Sequence, residues 1–357
     1  MFAKSIVTKG GDVFRDEYSL AFDGTNDYVE IADAPSFSYN VHSISMWVKP
    51  AGESGSMSLF DYRDANNDGI HIYLGDGDVV YQIDNTDGHY DTKLDLNQWS
   101  HVVCTNDGST STIYLNGVSV ETADTSGETI NVSGSAVPRI AARSHTSPSN
   151  YFNGNISEVA LYSSALTANQ VKTIYNGREP YNHKEGVASG NLQAWWRMGD
   201  GTLDTYAVIC NEKNNTLGTN IVVNGTFASD SSWTKGTGWT IGSGTADCDG
   251  SQSGNTALSQ TYSSGFTSGK EYQVQFTISD YTAGNINPHI TGASSGNVTG
   301  NGTKTSLITA TSSNNDIVMY ADSAFDAKID NITVREIGDG AGKMVNMDSI
   351  DIEGDTP

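Results

Sequence analysis

Between Tyr18 and Pro50 the chain reads YSLAFDGTNDYVEIADAPSFSYNVHSISMWVKP, and this line constrains the fold more than any other. Leu20 and Phe22 alternate with Ser19 and Ala21 until Asp23-Gly24 and Asn26-Asp27 break the run. Tyr28, Val29 and Ile31 resume it. Ile44, Met46 and Val48 then alternate with Ser45, Trp47 and Lys49 before Pro50 removes a ladder donor. Period-two alternation bounded by turn residues predicts half-buried strands, with no helical spacing anywhere in the line. A β-sandwich is the expected start.

The rest of the chain extends this pattern. Short strands are expected at Ser58–Tyr62, Gly69–Leu74 and Val79–Ile83, and Ile113–Leu115, Asn116-Gly117 and Val118–Val120 form the strongest hairpin signal, because Asn-Gly takes the positive φ of a type I′ turn. One helix is predicted, from Thr167 to Asn176, with a Thr167/Gln170 capping box, a Leu166/Val171 staple and Gly177 as its stop. After an apolar segment containing Trp195 and Trp196, Tyr272, Val274, Phe276 and Ile278 alternate with polar residues, and Ile317–Tyr320 reads as a strand buried on both faces.

The predicted class is all-β, with two jelly-roll sandwiches and one short helix closing the first. The expected divisions are an arm at 1–13, a sandwich at 14–181, a connecting segment at 182–219, a second sandwich at 220–337 and a tail at 338–357. A length of 357 residues accommodates two such cores, and 38 glycines with only 17% charged residues suit short strands and many turns.

A formal net charge of -23 argues against nucleic acid or an anionic membrane surface as partner. Cys104, Cys210 and Cys248 are odd in number and widely spaced, which predicts free thiols and neither a disulfide scaffold nor a zinc site. The first residues lack the apolar core of a signal peptide, and no segment approaches the roughly 18 apolar residues of a membrane span.

Phe22-Asp23-Gly24, Asn26-Asp27, Val29, Ile31 and the line Ile44–Pro50 resemble the laminin-G-like, concanavalin-A-like jelly-roll family. Trp99–Thr105, Tyr114–Gly117 and Phe152–Tyr162 are similar to its later strands, with Ser157 where that pattern has Asp. The line Asn220–Gly250 resembles the opening of carbohydrate-binding-module jelly rolls. Ala194–Gly201 and the ending Met344–Pro357 resemble virion proteins of marine bacteriophages. That last resemblance implies a non-catalytic surface protein of a phage particle, a head decoration or fibre component. It would be made in the host cytoplasm, displayed on the virion, and assembled as a homo-oligomer, with a trimer favoured, beside other virion proteins. It also suggests that the second jelly roll is inserted between those two segments, with the strand of Trp195 and Trp196 and a strand at Met344–Ile352 meeting in space.

The alternative is a calcium-assisted carbohydrate-binding protein, and a glycoside hydrolase ranks third. No Glu-x-Asp-x-Glu strand occurs, and Asp351 and Glu353 alternate without a third carboxylate. Asp64, Asn66 and Asp68 before Gly69 resemble half of a calcium loop, although Gly75 stands where an EF-hand has Glu. The same residues also read as an Asx-rich turn. Trp233 and Tyr281, beside turns, are the candidate glycan platforms, although a buried-core role is favoured for each.

Overall fold

Asn153–Tyr162 is the strand on which the first sandwich is built. The computed structural model describes residues 16–357 apart from 32–39, 54, 85, 131, 133–135, 145–146, 179–180, 202–203, 205–206, 215–216, 312–314, 339 and 348–349. The expected arm at 1–13 lies outside the described residues. The chain divides into two units, residues 1–216 with 339–357, and residues 217–338.

In the first unit, Asn153–Tyr162 pairs on one side with His42–Pro50, which leads through Ser100–Asn106 and Thr110–Leu115 to Val118–Asp124. Two strands share its other side. Ser19–Asp23 pairs with its first half and Leu192–Trp196 with its second. A bulge between Ser157 and Ala160 falls where those two partners meet, and Glu158 there has φ +52°. Bulges re-aim side chains in this way.

His42–Pro50, Ser100–Asn106 and Asn153–Tyr162 are buried on both faces. On one face Ile44, Met46, Val102, Ile156 and Val159 meet the second sheet. The other is covered by the helix Ala168–Tyr175, whose Val171 and Ile174 pack on Val103, Ala160, Tyr162 and Trp195. The Thr167/Gln170 capping box forms as its sequence predicts, while the left-handed C-cap is Asn176 itself, at φ 47°. Asn116 and Gly117 take φ 50° and 81°, as a type I′ turn requires.

The segments expected as a connection and a tail are strands of this unit. Leu192, Ala194, Trp195 and Trp196 are at most 2% exposed. Gly342–Val345 pairs with Tyr28–Ile31 on one side and Val208–Ile209 on the other, in the second sheet. Ile352–Glu353 pairs with Ser19–Leu20 in the first. The Trp196 Nε1–H donates to Gly340 O at 2.8 Å, joining the two pieces directly. The apolar residues of these segments had nowhere else to be buried.

The second unit is a sandwich of two five-stranded antiparallel sheets. One runs Thr234–Lys235, Thr256–Thr261, Asp316–Ala321, Ile286–Ile290, Ala293–Ser294, and the other runs Trp239–Gly242, Thr245–Asp249, Asp326–Glu336, Glu271–Ala283, Gly302–Thr309. Leu258, Phe276, Ile286, Met319, Phe325 and Ile329 fill the space between them. Asp316–Ala321 differs from the expectation of burial on both faces. Ile317 and Met319 point into the core, whereas Tyr320 points outward and is 43% exposed.

Candidate functional site

The outward face of the sheet that carries Tyr320 holds a cleft of about 300 Å³, at the lower end of the roughly 300–1,000 Å³ usual for small-ligand sites. Strand alternation builds it. In Ile286–Ile290, the isoleucines at both ends enter the core, so Asn287 and His289 face outward. Register places Asn287 opposite Tyr320 and His289 opposite Val318. The His289 and Tyr320 rings meet edge-to-face, with centroids 4.7 Å apart and planes at 76°. Such a pair fixes the tyrosine ring while leaving one face to solvent.

Asn255, Asn285, Asn297 and Asp322 complete the polar lining from the strand ends and loops. Asn285 and Asp322 are committed to each other. Asn285 donates its backbone N–H and its Nδ2–H to Asp322 Oδ2 at 3.0 and 2.6 Å, and Ala324 N–H donates to Oδ1 at 2.9 Å. Burial alone would raise the Asp322 pKa, but these hydrogen bonds prevail and hold it below the usual carboxylate range. Burial pushes His289 down against an opposing backbone hydrogen bond to Gly292, so at neutral pH its ring is uncharged. Asn287 Oδ1 is buried and accepts no hydrogen bond among the described residues. A cleft with one aromatic face, several carboxamides and a neutral imidazole can stack on the C–H face of a sugar ring while meeting its hydroxyls.

The platforms expected from sequence lie elsewhere. Trp233 is only 8% exposed, packs on Phe227 at 5.5 Å and donates Nε1–H to Asn224 O at 3.1 Å. Its ring therefore serves the core beneath the turn and presents no shelf to solvent. Tyr281 is half-buried against the same core, with its hydroxyl donating to Gly284 O at 2.9 Å. Neither lines the cleft. The signal that locates the cleft is the polar alternation Asn285, Asn287, His289 around Ile286 and Ile290.

In the first unit, Asp64 Oδ1 accepts from the backbone N–H of Asn66 at 2.8 Å and of Asp68 at 3.2 Å, the hydrogen bonding of an Asx turn. The Asn66 side chain is exposed. Since this oxygen already satisfies two donors of its own loop, excess calcium and then chelator are expected to give equal melting midpoints. A rise with calcium would assign the loop a cation.

Asp16, Glu158 and Asp200 form a separate acidic group whose oxygens lie within 4.8 Å of one another. Protein partners hold each of them. Glu158 accepts from Trp195 Nε1–H at 2.5 Å and from Arg197 Nε–H at 3.0 Å, and Asp200 Oδ2 accepts the backbone N–H groups of Glu17 and Tyr18 at 2.7 and 2.8 Å. The Ser157 hydroxyl donates to Asp16 at 3.3 Å. Burial, and then the neighbouring Glu158 and Asp200, raise the Asp16 pKa to about 9, so at neutral pH it carries a proton for a hydrogen bond to Asp200. The group clasps the start of Ser19–Asp23 to the end of Leu192–Trp196.

Residues 23–172 match a laminin G family described as the concanavalin A-like lectin/glucanases superfamily. No curated protein matches the sequence. Among solved structures, a candidate carbohydrate-binding protein from Bacteroides ovatus is 16% identical at TM-score 0.47, over 59% of this chain and 62% of that one. The chain thus spans less than two thirds of that protein. A CBM40 module of a Ruminococcus gnavus sialidase, bound to sialyllactose, is 13% identical at TM-score 0.38, over 44% of this chain and 97% of the module. Domain 4 of an extracellular arabinanase from Geobacillus stearothermophilus, in complex with arabinotriose, is 22% identical at TM-score 0.37, over 47% and 84%. Within the first unit, residues 23–172 resemble that lectin and glucanase superfamily.

Proposed function

We propose that this chain is a non-catalytic carbohydrate-binding protein that holds sugar in the cleft of its second unit. The observation that carries the reading is the outward Tyr320 ring beside carboxamides that the protein leaves uncommitted. Asn255, Asn287 and Asn297 make no side-chain hydrogen bond among the described residues. The match of residues 23–172 to a superfamily of lectins and glucanases supports the same class. Catalysis is set aside because glycoside cleavage requires two suitably spaced carboxyl groups, whereas the cleft offers Asp322 alone, already hydrogen-bonded on both oxygens. Calcium has no assigned part in this proposal. Display on a virion surface, as a trimer or otherwise, rests on the resemblance of Ala194–Gly201 and Met344–Pro357 alone and is independent of the cleft.

Tyr320→Ala is the direct test. Stacking on an aromatic ring is worth on the order of 1–2 kcal/mol, so affinity for a bound oligosaccharide is expected to fall about tenfold or more with the melting midpoint unchanged. Calorimetric titration against an oligosaccharide panel measures it. Equal binding by both proteins would remove the sugar from this cleft.

A further inference from the structure

Charge and hydrogen-bond polarity in the cleft narrow the ligand further. Its polar lining is four asparagines, one histidine and one aspartate, without a lysine or arginine. Proteins that bind carboxylate or sulfate groups place a cation against them, most effectively an arginine fork. Here the one formal charge has the ligand's own sign, on a chain whose net charge is -23. His289, held neutral by burial, does not offset it.

Asn287 adds a directional constraint. Its Oδ1 is buried, lies beside the Tyr320 ring across the strand pair, and has no partner among the described residues. A carbonyl oxygen only accepts, and an unmet buried acceptor is costly, so the group that satisfies it must bring a donor. A sugar hydroxyl does so. An ionised carboxylate or a sulfate presents only acceptors, so at this oxygen it would meet acceptor to acceptor, and an acidic sugar has to turn one of its hydroxyls there instead.

We infer that the cleft selects uncharged, hydroxyl-rich sugar units over uronic, sialic or sulfated ones, with Asn287 the contact that enforces the choice. The inference rests on the reading of the cleft as a sugar site, and the experiment separates the two. The full chain is titrated with neutral oligosaccharides of glucose, xylose, mannose and arabinose, and with oligogalacturonate, oligomannuronate, sialyllactose and sulfated galactan oligosaccharides. The same titrations are run on Asn287→Ala and Tyr320→Ala. The expected result is a neutral ligand bound at least about tenfold more tightly than any acidic one. Asn287→Ala should weaken it about five- to tenfold, as loss of a buried hydrogen bond does, and leave acidic ligands unaffected.

Equal or tighter acidic binding that disappears in Tyr320→Ala would overturn the selectivity and keep the cleft as the sugar site. A neutral preference unchanged in Asn287→Ala would overturn the role of that residue. Failure of every oligosaccharide to bind the unaltered chain would overturn the sugar reading itself. Both substitutions are on an outward strand face, and unchanged melting and far-ultraviolet dichroism verify that each variant is folded.

Discussion

Removing residues 340–357 is expected to lower the melting midpoint of the first unit by about 10–20 °C, from a loss of roughly 5 kcal/mol or more. The segment supplies an interior strand: Gly342–Val345 lies between Tyr28–Ile31 and Val208–Ile209, so its loss exposes two ladders at once. Ala341, Met344 and Met347 leave the core with it. Trp196, fully buried, is then left with an Nε1–H that has lost Gly340 O, and a buried donor without a partner costs about 1–3 kcal/mol. Lys49 and the Trp99 indole also lose Asp355. Hydrogen exchange resolves where the damage falls. Protection should drop at Tyr28–Ile31, Ser19–Leu20 and Trp196, while Glu271–Ala283 of the second unit serves as an internal reference. Unchanged protection around Trp196 would contradict the pairing described here.

The first unit should be most stable in mild acid, near about pH 4.5, and lose stability on both sides. Two sets of buried groups with opposite signs set these limits. Burial lowers the pKa of His71, His101 and His183 from 6.5 to about 3 in each case. For His183 the ring is also held in place by Tyr162, whose hydroxyl meets Nδ1 at 2.5 Å. The unfolded chain therefore binds three protons that the folded one refuses, and stability falls as pH drops from about 6.5 toward 3. Burial raises the carboxyl groups instead: Asp16 to about 9, Glu158 to about 7 despite Arg197, and Asp204 to about 6 despite three backbone N–H donors. These hold protons in the folded state that the unfolded chain has released, so their contribution is lost as pH rises through those values.

Asp27 and Asp84 are also raised to about 6, so between about pH 4.5 and 6 the histidines offset only part of the carboxyl set. Below about pH 4 the unfolded carboxyl groups are protonated too, and the three histidines contribute a slope of about 4 kcal/mol per pH unit, at about 1.4 for each proton. Asp23, Asp107 and Asp355, each held below the usual carboxylate range, add to that slope. Denaturant unfolding from pH 3 to 9, followed by a first-unit signal, measures the curve. Replacing His183 with Gln should remove about a third of the histidine part of the acid slope. A profile flat from pH 3 to 5 would refute the account.

What the sequence made legible was local. The Asn116-Gly117 turn and the Thr167/Gln170 capping box are each decided by residues within four positions, and both form. The alternating strands from Leu20 to Val48 are legible for the same reason. Leu192–Trp196 announced its burial through its apolar residues but not its partner, because the strand it pairs with is fixed by contacts distant in sequence. Tyr320 was hidden because four consecutive apolar residues erase the period-two signal that separates inward from outward positions. Trp233 takes the core role that its sequence also allowed. Its turn-rich neighbours suggest exposure, yet the chain folds so that the indole lies beneath them. The asparagines of the cleft were lost among the many polar turn residues of the chain, and only the sheet register gathers Asn287, His289 and Tyr320.

The pairing of Tyr28–Ile31 with Gly342–Val345 also has a consequence for how the protein is made. The two strands are roughly 310 residues apart, so at about 5–20 residues per second the earlier one leaves the ribosome some 15–60 s before its partner. Throughout that interval the first sandwich has an open place in its second sheet. The second unit, by contrast, is continuous from 217 to 338, and its two ends are bridged at Leu217 and Ile337. It is synthesised whole while the first unit waits, so the later domain in the chain is the first able to finish folding.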